Sequence, residues 1–188
     1  LPAFVEQMLN FLGFNYIVDY DDAIFHNYDL SSNTWMRRLL SKKIDRVMAS
    51  SKTVIAGNSY LASRAIEAGA KKIEVIPTVI ESHRYQKKEF NYSNEPIIIG
   101  WIGSPSTLKY LDPLLSVFKR LAENYHMQVH IIGAASYKVD LPNSIVKYID
   151  WEEQTEAIQI EKFDIGIMPL SETPWAKGKC AYKLIQYM

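Results

Sequence analysis

One cysteine, Cys180, stands among 188 residues. A lone thiol excludes an internal disulfide framework and fits a reducing, cytoplasmic compartment. Neither sign of charge is in excess: 21 Lys and Arg balance 21 Asp and Glu. That balance argues against a nucleic-acid coat, so no nucleic-acid partner is expected. No apolar stretch approaches the roughly 18 residues that a membrane span needs. The best run, residues 96–103, has the length of a buried strand. Residues 1–13 carry neither the basic start nor the apolar core of a secretory signal, and no period of solenoid length recurs. Charged residues make up an ordinary 22%. The composition therefore speaks for a folded chain, either one ordinary domain or two small or partial ones.

Apolar spacing switches repeatedly between helical and strand periods. Helices are expected over residues 4–12, 35–48, 60–68, 108–124, 152–162 and 181–188. Strands are expected over 16–18, 53–56, 73–76, 97–102, 129–132, 145–149 and 164–168. Residues 81–96 break the alternation with a polar cluster of little periodicity, the mark of a linker. The β-α order on each side predicts an α/β chain with parallel sheets, in two Rossmann-like halves. The first residue is Leu and the last helical pattern has no stop signal. Both halves are therefore expected to be incomplete, in an internal piece of a longer protein.

Ligands of open α/β sheets bind beyond the carboxyl ends of the strands. The loop 103–107, Gly-Ser-Pro-Ser-Thr, is one such place. Small residues between a strand and a helix start expose N–H groups suited to a phosphate; an N-capped helix is the plainer reading. The loop 174–180 is a second. Beyond it, Lys179, Lys183 and Gln186 fall at i, i+4 and i+7, one helical face that suits a diphosphate and a ribose. Ala181, Leu184, Ile185 and Met188 form the stripe expected to be buried, and Cys180 reads as a packed thiol. Asp19, Asp21 and Asp22 gather at a strand end, with His26 close behind. Such a group suits a divalent metal, an acid–base pair or sugar hydroxyls. His83, His126 and His130 have no ligand spacing.

Residues 99–107 (IGWIGSPST), 163–170 (FDIGIMPL) and 175–188 (WAKGKCAYKLIQYM) resemble a branch of glycosyltransferase family 4. Residues 19–25 (DYDDAIF), 54–62 (VIAGNSYLA) and 75–80 (VIPTVI) carry the resemblance into the first half. The resemblance implies the GT-B fold: two Rossmann-like domains and a retaining hexosyl transfer from a nucleotide-sugar donor to a glycan or lipid-linked acceptor. It implies no cofactor and no catalytic metal; the nucleotide sugar is the co-substrate. Residues 1–80 become the end of the acceptor-side domain, 81–96 the interdomain linker, and 97–188 the start of the donor domain. Asp21, Asp22 and His26 become the catalytic, acceptor-side candidates. Gly103, Ser104 and Lys109 are expected near the diphosphate, and Tyr148 and Trp151 near the base. Gly178, Lys179, Cys180 and Ala181 are expected near sugar and phosphates, with Lys183 on the donor phosphates and Gln186 at the ribose. Polysaccharide or lipid-linked sugar synthesis in the cytoplasm, with peripheral association at the inner face of the membrane, is the setting that it implies.

The chain departs from that family in two places. Gly178 stands where the first glutamate of the paired-glutamate motif falls, and Ser104 where an arginine follows the first-loop glycine. Two other functions compete. Asp19-x-Asp21 after a strand resembles the nucleophile motif of magnesium-dependent phosphohydrolases, though Ala23 stands where that motif has Thr. A nucleotide-sugar binding module without catalysis is the other. As it stands, the chain is expected to lack a complete active site.

Overall fold

The structure, a computed structural model, describes residues 3–86 and 95–188. The chain divides into two compact units, Leu1–Thr78 with Glu172–Cys180, and Val79–Ser171 with Ala181–Met188. The expected linker, 81–96, falls in the second unit, and its residues 87–94 lie outside the described residues. Each unit has its own parallel sheet. Among the described residues, no helix is long and apolar enough to cross a membrane.

In the first unit, β1 (Ile17–Tyr20), β2 (Thr53–Ala56) and β3 (Ile73–Val75) lie in the order β1-β2-β3. The central strand β2 is nearly buried along its length, which is why it reads as an unbroken apolar run. At the edge, β1 alternates, so Tyr20 enters the core while Ile17 and Asp19 face out. Tyr20, Phe25, Met48, Val54 and Leu61 are central to that core. After β2 the side chain of Asn58 accepts from Leu61 N–H at 3.0 Å and caps the helix Ser59–Glu67.

The stripe expected as one helix over 35–48 forms two, Thr34–Leu40 and Lys43–Ser50. Between them Lys42 leaves the helical basin, at φ −99° and ψ 12°. The break turns the upstream half of the stripe off the core. Ile44, Val47 and Met48 are buried, whereas no residue of Thr34–Leu40 is.

In the second unit, β4 (Ile97–Ile102), β5 (Met127–Ile132), β6 (Val146–Ile149) and β7 (Ile165–Gly166) lie parallel in the order β6-β5-β4-β7. Period-two alternation sends Trp101, Val129 and Ile131 to one face, against Leu111 and Phe118. It sends Ile102 and Ile132 to the other, against Ile160 and Phe163. The chain steps from β4 to β5 to β6, then returns to β7 on the far side of β4. That reversal is the topological switch where α/β sheets open a crevice at their carboxyl ends.

Three expected helices differ here. Residues 105–114 wind as a 3-10 helix, and the α-helix starts only at Leu115–Ala122. Pro113 lies inside that first stretch, without an N–H and with a ring that crowds the turn before it. The helix expected over 152–162 is confined to Glu156–Ile160. The last helix, Tyr182–Tyr187, starts after Ala181, which sits in the left-handed region at φ 55°.

Candidate functional site

A pocket of about 350 Å³ opens at the carboxyl ends of β4, β5 and β6 in the second unit. Gly103, Gly133, Trp151, Glu156, Lys183 and Gln186 are among the residues that line it. Both glycines are there because backbone and side chains approach too closely for a Cβ. Gly133 has φ +86°, and a Cβ on it would stand 2.6 Å from the carbonyl oxygen of Gly103. A Cβ on Gly103 would stand 2.5 Å from Trp101 Cζ2 and 2.8 Å from Lys183 Nζ. The Lys183 ammonium lies 5.3 Å from the centroid of the Trp101 ring, a cation held on an aromatic face.

The loop after β4 offers fewer amides than its small residues suggest. Gly103 N–H donates to Ile132 O at 3.0 Å and Thr107 N–H to Ser104 O at 2.9 Å. Pro105 has no N–H, so three of the five residues in 103–107 present none to a ligand. The hydroxyl of Ser104 is itself bonded to that of Ser106 at 2.9 Å. Positive charge at this pocket therefore comes chiefly from Lys183.

Gln186 is the buried residue of the last helix, only 5% exposed. Its amide nitrogen donates to Glu156 Oε1 at 2.6 Å and to the Tyr85 hydroxyl at 2.7 Å. The other oxygen of Glu156 accepts from the indole N–H of Trp151. One carboxylate thus fixes both the amide of Gln186 and the ring of Trp151. The stripe expected to be buried here is not: Leu184 is 41% exposed. Starting the helix at Tyr182 turns the polar Gln186 inward, where Glu156 and Tyr85 satisfy it.

Of the donor-side residues singled out from the sequence, Gly103, Ser104, Trp151, Lys183 and Gln186 share this pocket. Lys109 does not line it; its ammonium lies 5.7 Å from the Tyr110 ring. Tyr148 faces the core instead, where its hydroxyl accepts from Val139 N–H at 3.0 Å. Ala181 is the left-handed residue before the last helix.

Gly178, Lys179 and Cys180 belong to the first unit. Expected as part of the second half, the segment 172–180 is tied down there by polar contacts. Lys179 Nζ donates to both oxygens of Asp22, at 2.8 and 3.0 Å. The amide nitrogen of Asn58 donates to the carbonyl oxygens of Gly178 and Lys179, at 3.1 and 3.3 Å. The turn at Ala181 also means that Lys179 does not share a helical face with Lys183 and Gln186. Cys180 is half-buried beside Gly57, and burial pushes its thiol up, with Asp21 and Asp22 adding to the effect.

The acidic cluster is dispersed. Asp19 faces out from β1, Asp21 is exposed, and Asp22 holds Lys179. Among the described residues, no three acidic, His or Cys side chains gather as a metal site. His26 is engaged at both ring nitrogens, by Asp29 at 2.8 Å and by the Tyr60 hydroxyl at 2.9 Å. Asp29 continues to Arg64 at 3.1 Å, and Arg64 to Asp45 at 2.8 Å. The network packs helices together and leaves His26 neither nitrogen for a substrate.

Sequence reading missed Glu156 and Tyr182 in the pocket, and placed Gly133 among the ligand-binding strand ends without giving it a role. Gly133 carried a signal, a glycine ending a strand. Glu156 did not, standing among Glu152, Glu153 and Glu161 with nothing to distinguish it. No family model matches the chain, and no curated protein matches it.

Proposed function

We propose that the chain belongs to a retaining glycosyltransferase of the GT-B kind, and that the pocket of the second unit receives the nucleotide-sugar donor. The observation that carries this reading is the joint presence, in a pocket of about 350 Å³, of two close-approach glycines, an indole, a half-buried amide–carboxylate pair and one lysine. That volume suits a small-molecule site. The faces of Trp151 offer stacking to a base, and the Gln186–Glu156 pair lies where a ribose would be met. Lys183 supplies the charge for a diphosphate.

In the transfer, the bond between the anomeric carbon and the diphosphate breaks and its electron pair leaves with the phosphate oxygen. A bond from the acceptor oxygen forms, and the acceptor proton passes to a base. Negative charge grows on the departing diphosphate, so a fixed ammonium stabilises the transition state more than the ground state. On the first unit, Asp21 is the acceptor-side carboxylate in this reading, because Asp22 holds Lys179 and His26 is engaged at both nitrogens.

The test is a panel of nucleotide sugars incubated with the full-length protein and lipid-linked or glycan acceptors, with and without EDTA. Release of a nucleoside diphosphate, with a product of the donor's anomeric configuration in both conditions, is expected. Magnesium-dependent hydrolysis of simple phosphate esters, with no turnover of any nucleotide sugar, would sink the proposal. Binding of a nucleotide sugar without release of diphosphate would make the chain a binding module.

A further inference from the structure

We propose, on the reading of this pocket as a donor site, that Glu156 is its positioning residue: by holding Gln186 and Trp151 in one hydrogen-bonding sense, it selects ligands that bring hydroxyl donors. Glu156 opens the helix Glu156–Ile160, of which Ala157 and Ile160 are buried. Ile160 packs in one cluster with Ile102, Ile132 and Phe163. The carboxylate is therefore carried on an anchored element and lines the pocket from there.

An ionised carboxylate only accepts hydrogen bonds. An amide can turn either way, and its neighbours decide the sense. With Glu156 Oε1 at 2.6 Å, the nitrogen of Gln186 has to face it. The other N–H of that nitrogen goes to the Tyr85 hydroxyl, at 2.7 Å. Both amide hydrogens are then in use, and what Gln186 keeps for a ligand is its oxygen. Trp151 is constrained in the same way. Its one N–H donates to Glu156 Oε2, which leaves the ring faces. Each oxygen of Glu156 retains a further lone pair. These three side chains together offer acceptors and a π face, and no donor. A ligand group that meets them has to donate, as both hydroxyls of a ribose do; a 2′-deoxyribose has one fewer. Glutamine at position 156 would lift the constraint, because two facing amides pair in either sense.

Calorimetric titration of the full-length protein with UDP, GDP and their 2′-deoxy counterparts tests it, together with the indole N–H resonance of Trp151. Wild type should bind the better ribonucleotide roughly tenfold more tightly than its 2′-deoxy form. In Glu156→Gln that ratio should fall to about twofold or less. The Trp151 resonance should move upfield in the same variant, as its N–H loses a charged acceptor. Glu156→Gln with Gln186→Glu returns one carboxylate to the pair. That carboxylate again only accepts, so the ratio should recover. A structural role alone would weaken both nucleotides alike and leave the ratio as it was, which would overturn the proposal. So would an unmoved Trp151 resonance, or a double variant no more selective than Glu156→Gln. Absence of any nucleotide binding by wild type would overturn the donor-site reading and the selectivity with it, whereas an unchanged ratio overturns the role of Glu156 alone.

Discussion

Glu156 and Gln186 meet at 2.6 Å, carboxylate oxygen to amide nitrogen, with Gln186 only 5% exposed. A carboxylate at position 186 would therefore face this chain's own Glu156. Gln186→Glu would press two carboxylates together at a half-buried position. One of them would hold a proton, so its folded-state pKa would rise above its unfolded value. A carboxyl raised in this way costs stability at high pH and regains it as pH falls. The variant should lose about 2–4 kcal/mol at pH 7.5 and recover much of that at pH 5. Urea unfolding at the two pH values measures it, and an equal loss at both would contradict the contact.

Asn58 has two duties that one substitution separates. Its oxygen caps the helix Ser59–Glu67, and its nitrogen holds the carbonyl oxygens of Gly178 and Lys179. Asn58→Asp keeps an acceptor for the cap and loses both donors, leaving a carboxylate against two carbonyls. The segment 172–180 should come away at a cost of about 1–3 kcal/mol. Tryptic cleavage after Lys177 and Lys179 should accelerate, with the helix content retained. Unchanged cleavage would mean that Lys179 on Asp22 holds the segment by itself.

His130 lies in β5 at 3% exposure, with Nε2 on Gln128 at 3.2 Å and Nδ1 without a partner. Burial first, and then Lys147 and Lys162, pull its pKa down to about 4. The unfolded chain takes up this proton near pH 6.5 and the folded one near pH 4, so stability falls as pH drops through that window. The loss should reach roughly 3 kcal/mol. Unfolding free energies of wild type and His130→Leu, compared at pH 7 and pH 4.5, isolate the imidazole from the carboxylates. Parallel losses in the two proteins would show that His130 does not carry the effect.

Strands were legible where burial on both faces leaves an apolar run, as in residues 53–56 and 97–102. The two-sheet division followed from the polar stretch between them. Helix faces were not legible where a local backbone event resets the phase. Lys42 interrupts the stripe 35–48, and its upstream half ends up exposed. Ala181 at φ 55° starts the last helix late, which buries Gln186 and separates Lys179 from Lys183. Nothing in an alanine announces a left-handed conformation, which usually falls to Gly or Asn. The short helix Pro174–Lys177 was readable in principle, with Thr173 as cap and Pro174 in its first turn. Glu156 became recognisable only when the fold brought Trp151 and Gln186 to it.

The central claim is that the pocket of the second unit binds a nucleoside diphosphate through Lys183. Calorimetric titration of wild type and Lys183→Ala with UDP and with GDP tests it most directly. A charge-assisted contact of about 1.5–3 kcal/mol predicts that the variant binds whichever nucleotide fits roughly ten- to a hundredfold more weakly. The variant also loses the cation on the Trp101 face, worth about 0.5–1 kcal/mol to folding. Equal affinities in wild type and variant, or no binding of either nucleotide to the wild type, would contradict the account.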